Sequence, residues 1–145
     1  MAAQIGHHWP PKGDDWLHEA KWDGFRFQVI KDGSDVRLYS KSGAESSDRL
    51  SSMVEAFADL PAGAAILDGE RCLIDPGGGA NFWRLMTQMR TRWPEESLLV
   101  FQAFDLLHQD GVDLRSSPLS ERKRNLNRLC RQSHTRFFKQ AEKQV

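Results

Sequence analysis

An α+β fold, a largely antiparallel sheet with flanking helices, is what this sequence predicts, and three observations predict it. Two alternating runs, Phe25–Lys31 and Val36–Ser40, flank an Asp32-Gly33 turn signal. Apolar residues recur at helical spacing in two places, from Leu50 and from Phe82. The run Leu98–Phe104 is apolar, short and rich in strand formers, as a strand buried in a sheet would be.

Taken in order, Trp16–Ala20 is expected to form a short strand. Phe25–Lys31 follows as a half-buried strand with Phe25, Phe27 and Val29 on one face. Asp32-Gly33 turns the chain and Val36–Ser40 returns beside it. Leu50, Met53, Val54, Phe57 and Leu60 define a helix closed by Pro61. Ala65–Leu67 and Arg71–Ile74 read as two strands about a kink at Asp68-Gly69, and Asp75-Pro76-Gly77 as a turn. Asn81 is placed to cap a helix running through Met89, with Phe82, Leu85, Met86 and Met89 as its stripe. After Leu98–Phe104, Asp110-Gly111 turns the chain again. Ser117 as cap and Pro118 in the first turn then start a helix to about Arg131, with Leu119, Leu126, Leu129 and Cys130 inward.

Composition limits the function classes. The chain has 145 residues, 39% hydrophobic and 28% charged, enough apolar material for one core and too much for disorder. No apolar run is long enough to span a bilayer, and the start lacks the pattern of a secretory signal, so a soluble protein of cytoplasmic type, with no membrane partner, is expected. Cys72 and Cys130 are too few for a disulfide framework and wrongly spaced for zinc. Gly77-Gly78-Gly79 lacks the Lys-Ser/Thr of a phosphate-binding loop, and His7-His8 reads as a solvated pair. Of the five tryptophans, Trp9, Trp16, Trp22, Trp83 and Trp93, most are expected to pack in the core or at its edge. The formal net charge is zero, yet Arg115–Val145 holds nine basic residues against two acidic ones, a net +7 balanced by −7 over residues 1–114. That polarity suggests either a polyanion contact or a solvated helix face.

The stretch Glu19-Ala-Lys21-Trp-Asp23-Gly24-Phe-Arg26 concentrates chemistry. Gly24 lets the backbone turn sharply against a ligand. A lysine nucleophile must have its charge disfavoured by burial or by nearby cations, and Arg26 is the cation in reach of Lys21. Arg26 could also grip phosphate by its planar fork, and Asp23 could orient either base. An isolated Asp-Gly turn with incidental charges is the plain alternative, but Lys-x-Asp-Gly-x-Arg arises by chance in roughly one such chain in a thousand.

That pattern resembles the signature of the covalent nucleotidyltransferases: ATP-dependent DNA ligases, RNA ligases and capping enzymes. Further matches arrive in the family's order: Ser40-Lys41-Ser42-Gly43, Leu67-Asp68-Gly69-Glu70, Phe104-Asp105-Leu106-Leu107, and then Asp110–Arg115 with Pro118–Lys123. The last two stretches, and Asp15–Glu19, are similar to the ATP-dependent ligase domain of bacterial end-joining proteins, which favours DNA ligase over RNA ligase or capping enzyme. The resemblance spans Pro11 to Leu129.

It implies an adenylation domain of ATP-grasp-like nucleotidyltransferase fold. Lys21 would be the catalytic nucleophile that takes AMP from ATP. Glu19 would sit beside the adenine, Arg26 on ribose or phosphate, Lys41 on phosphate or DNA, Glu70 on a ribose hydroxyl or near magnesium, and Phe104 against the base. Phe104 could equally be a core residue of a central strand, and Glu70 a strand-edge carboxylate. ATP and Mg2+ are the implied cofactors, with the metal ligands unknown. Nicked or broken double-stranded DNA is the implied partner, with other end-joining proteins as further candidates, in DNA repair and recombination within a bacterial cytoplasm.

Two departures qualify the match. Position 41 is Lys where the family usually has Arg, which gives up bidentate contact. The later Glu-Gly-x-Val-x-Lys motif is not found. The expected organisation is therefore an N-terminal tail over 1–12 and a partial, truncated adenylation domain over 13–145 without an OB-fold domain. Phe137-Phe138 is the expected start of a further strand, and the last central strand is expected to leave an open edge. The alternative function is a non-catalytic ligase remnant or accessory module that binds nucleic acid or a partner through the basic C-terminal segment.

Overall fold

The computed structural model describes Gly13 and residues 16–90, 99–133 and 138–140, the backbone alone for 88–90 and 138–140. The expectations for His7, His8, Trp9, Asp15, Trp93, Phe137 and the side chain of Met89 fall outside these residues. Among these described residues six strands form one sheet: β1 (Phe25–Asp32), β2 (Asp35–Ser40), β3 (Ala64–Leu73), β4 (Leu99–Gln109), β5 (Val112–Asp113) and β6 (Phe138–Gln140). Helices α1 (Ser51–Ala58), α2 (Phe82–Arg90) and α3 (Leu119–Gln132) accompany it. The order is β2-β1-β3-β4-β5, antiparallel throughout, and β6 pairs in parallel with β4. The expected α+β class therefore holds. No helix among the described residues is long and apolar enough to cross a membrane.

Local chemistry explains the turns. Gly33, at φ 58°, takes the first of two loop positions between β1 and β2, where a side chain would be strained. Asp110 and Gly111, at φ 48° and 88°, supply the two left-handed positions between β4 and β5. One sheet face then buries Phe27, Val29, Val36, Leu38, Leu67, Phe101, Ala103 and Leu106 against Met53 and Phe57 of α1 and Leu126 and Leu129 of α3. Each large side chain so buried contributes about 1.5–3 kcal/mol. Phe57 meets Phe101 edge to face at 5.1 Å. A smaller cluster of Leu73, Leu85 and Leu99 seats α2.

The structure corrects several readings. Trp16–Ala20 forms no strand, because both edges of β1 are already paired, with β2 and β3. The two expected strands about Asp68-Gly69 are one strand, β3, and the irregularity lies opposite, in β4. Pro118, not Ser117, occupies the cap position of α3, and no side chain caps it. Leu119 is 40% exposed and Trp83 83% exposed, so neither belongs to a core. Finally, β4 has neighbours on both sides: β3 on one, and β5 and β6 along the other.

The register of β3 on β4 skips one residue of β4 twice. Leu67 and Ile66 face Leu106 and His108, while Gly69 and Asp68 face Ala103 and Asp105. Leu107 and Phe104 are the extra residues, and such bulges re-aim side chains beside functional sites. The buried series Phe101, Ala103, Leu106 changes phase across the first of them. Phe104 and Leu107 consequently turn to the opposite face, where a cavity opens.

Candidate nucleotide site

The cavity has a volume of about 1300 Å³, more than an ordinary small-molecule pocket needs. Its floor is the face of the sheet opposite the core. Period-two alternation puts Arg26 of β1 and Asp68 and Glu70 of β3 on that face, and the bulges add Phe104, Asp105 and Leu107 of β4. The irregular segment 16–24 brings Glu19, Lys21 and Asp23 to the wall, while α2 contributes Phe82 and Trp83 and α3 contributes Leu119 and Lys123.

Five of the six expected site residues, Glu19, Lys21, Arg26, Glu70 and Phe104, thus line one cavity. Lys41 does not. It lines two smaller depressions on the far side of β1, which share Arg26 with the main cavity and hold Glu70 or Asp68 in turn.

Two glycines make the floor possible. A Cβ at Gly24 would lie 2.2 Å from the Arg71 carbonyl oxygen, so only glycine lets the segment bearing Lys21 lie so close to β3. The Gly24 N–H then donates to Glu70 Oε1 at 3.1 Å. A Cβ at Gly69 would meet the Phe101 ring at 2.4 Å, so this glycine admits the largest core side chain under the site.

The charges are paired in a chain along the floor. Arg26 Nε and Nη2 donate to the two oxygens of Asp68 at 2.9 and 2.5 Å, a planar fork on a carboxylate. Asp68 sits opposite Asp105 in the β3–β4 register. Asp105 in turn accepts from Arg122 Nε and Nη2 at 2.8 and 3.0 Å, while Arg122 Nη1 donates to the Ser117 carbonyl at 2.8 Å. The Arg26 guanidinium also lies 5.3 Å from the centre of the Phe104 ring, within cation–π range. Lys123 donates to both the Glu19 carboxylate and the Phe104 carbonyl.

The electrostatics overturn one expectation. Arg26 does not disfavour the charge of Lys21, because Asp68 neutralises it. Lys21 is 82% exposed and hydrogen-bonded to Asp23, which raises its pKa and keeps it an ammonium. Burial pushes the Glu70 carboxyl above its ordinary range, against the pull of the Gly24 N–H, Arg26 and Lys21. Burial likewise lifts the Cys72 and Cys130 thiols to about 12, so neither is a thiolate at neutral pH. Among the described residues no group of three or more His, Cys, Asp or Glu could hold a metal ion unaided.

Asp68, Asp105 and Lys123 are the site residues that the motifs left without a role. Asp68 carried a signal: two residues from Glu70 in a strand, it must share its face. Asp105 and Lys123 stand inside matched motifs, but nothing local says what they touch, since one depends on a bulge and the other on a contact across 104 positions.

Comparison with known proteins gives consistent matches. The family model described as ATP dependent DNA ligase domain matches residues 7–145. A probable DNA ligase of Rhodococcus opacus (strain B4) is 36% identical over 132 residues, 90% of this chain and 26% of that protein. The multifunctional non-homologous end joining protein LigD of Pseudomonas aeruginosa is 34% identical over 120 residues, 83% of this chain and 14% of that protein. Among solved structures, a mycobacterial DNA ligase D complexed with ATP and MES is similar at a TM-score of 0.64 and 30% identity, over 79% of this chain and 36% of that one. The chain spans about a quarter of the length of the probable DNA ligases it matches.

Proposed function

This chain belongs to the family of ATP-dependent DNA ligase domains, and from that premise we propose that its cavity binds ATP and that Lys21 is the residue adenylated. The observation that carries the reading is the convergence of Glu19, Lys21, Arg26, Glu70 and Phe104 on one cavity. Phe104 offers a flat face for a purine, and Glu19 lies at the same end through Lys123. Stacking of this kind contributes about 1–3 kcal/mol. Glu70 suits a ribose hydroxyl, which would relieve its buried charge.

Lys21 must first lose the proton that Asp23 holds on it. Its free amine then attacks the α-phosphorus; an N–P bond forms, the bond to the bridging β-phosphate oxygen breaks, pyrophosphate leaves, and the nitrogen gives up a further proton to solvent. Bound magnesium would offset the charge gathering on the phosphate oxygens. Asp23 and Glu70, the two carboxylates that act on the Lys21 ammonium, would hold the magnesium. AMP would pass next to the 5′-phosphate at a break in duplex DNA, for sealing by the 3′-hydroxyl.

The test is incubation with α-labelled ATP and magnesium, followed by a denaturing gel. The wild-type chain should retain label and Lys21→Arg should not. A wild-type chain without label, under conditions where a longer relative is labelled, would overturn adenylation by this chain. A second reading, a nucleic-acid or partner-binding module without catalysis, is favoured by one observation: Arg124, Arg128 and Arg131 are exposed along α3.

A further inference from the structure

Lys123 closes the Pro118–Lys123 match, which assigns it no role, yet its surroundings are tightly specified. Its side chain is only 12% exposed, and its ammonium serves two acceptors from unrelated parts of the chain. One is the carboxylate of Glu19, two residues before Lys21 in a segment without strand or helix. The other is the backbone carbonyl of Phe104, the first bulged residue of β4. That carbonyl is open to a side chain because the outer edge of β4 is paired with β6 at Phe101–Ala103 and with β5 at His108–Gln109, with Phe104 between. Lys123 therefore enters a gap in the sheet edge. The segment bearing Lys21 is tied to the body on either side of that lysine, by Glu19 to Lys123 and by the Gly24 N–H to Glu70.

Resting on the nucleotide reading above, we propose that Lys123 is a positioning residue that sets the choice of base. It holds the Glu19 carboxylate and the Phe104 carbonyl together, two acceptors that would otherwise repel, and so builds an acceptor edge at the aromatic end of the cavity. An acceptor edge favours a purine that presents an amino donor, as adenine does, over one that presents a carbonyl there, as guanine does. Because Lys123 is largely buried, its ammonium neutralises the pair while remaining out of solvent.

The test uses the full chain with Lys123→Met, Lys123→Arg and Glu19→Gln, with ATP and GTP titrated calorimetrically and labelling rates measured at varied nucleotide concentration. Lys123→Met should melt cooperatively, bind ATP about tenfold more weakly, raise KM more than it lowers kcat, and narrow the preference for ATP over GTP. Lys123→Arg should recover part of the loss. The effects of Lys123→Met and Glu19→Gln should be less than additive in the double variant. A folded Lys123→Met with the ATP affinity and base preference of the wild type overturns the proposal. So does a variant that loses only stability and kcat. If Lys123→Met does not fold, Glu19→Gln decides: an unchanged ATP-to-GTP ratio overturns the proposal. A wild-type chain that binds no ATP overturns this inference and the nucleotide reading together; one that binds and is labelled while the variants match it overturns this inference alone.

Discussion

Glu70 keeps a carboxylate where burial works against its charge. The folded chain binds the Glu70 proton more tightly than the unfolded chain does. The stabilisation from that proton is complete below the ordinary value of 4.5 and is lost as pH rises through the higher folded value. Glu70→Gln removes the charge but keeps an oxygen for the Gly24 N–H, so it should be more stable than the wild type at pH 7. The gap should close as pH falls below 4.5, as denaturant titrations at the two pH values would measure. A wild type more stable than Glu70→Gln at pH 7 would show that burial is not the controlling cost. Lys21 is the converse: the Lys-x-Asp-Gly-x-Arg pattern singled it out and it does line the cavity, but its charge state was not legible. That depends on which side chain Asp23 reaches, and it reaches Lys21 rather than Arg26.

At the scale of elements, α3 has two working faces. Lys123 lines the cavity and Arg122 holds Asp105 of its floor, whereas Arg124, Arg128 and Arg131, spaced four and three apart, lie together on solvent. Only the outer set is placed to meet a polyanion. Replacing Arg124, Arg128 and Arg131 by Gln should flatten the dependence of duplex-DNA affinity on salt, the log–log slope falling by about 0.9 for each phosphate no longer neutralised. An unchanged slope in filter-binding titrations would remove α3 from any DNA interface. The hairpin β1–β2, helix α1, the Asn81 cap of α2 and strand β4 were all legible in the sequence, since each rests on local pattern: alternation, a turn glycine, a three-four repeat, a capping amide 2.9 Å from the Arg84 N–H. What was not legible rests on pairing at a distance. Trp16–Ala20 has the composition of a strand, but both edges of β1, which it precedes, are taken by β2 and β3. The bulges at Phe104 and Leu107 exist only in register with β3. Leu119 read as core by spacing and Trp83 as core or edge by residue type, yet both line the cavity.

Across the whole molecule, part of the charge balance lies in internal pairs among the described residues. Among the described residues from Arg115 onward, Arg115, Arg122 and Lys123 are held by acids of the chain, at Asp113, Asp105 and Glu19. The row Arg26–Asp68, Asp105–Arg122 joins β1, β3, β4 and α3 across the cavity floor. Asp105→Asn leaves the Arg122 guanidinium without its countercharge at a site only partly open to water, and should lower the global unfolding free energy by about 1–3 kcal/mol. Chemical denaturation would measure it, and a loss confined to α3, with the sheet still melting as in the wild type, would mean the row does not couple the elements. The two bulges of β4 carry a different consequence, for how such a chain can change over generations. They set Phe101, Ala103 and Leu106 on one face and Phe104 and Leu107 on the other of a single strand. Mutations that tune what the cavity accepts can therefore accumulate at Phe104 and Leu107 without disturbing the packing beneath, and heredity can revise the two faces of β4 on separate schedules.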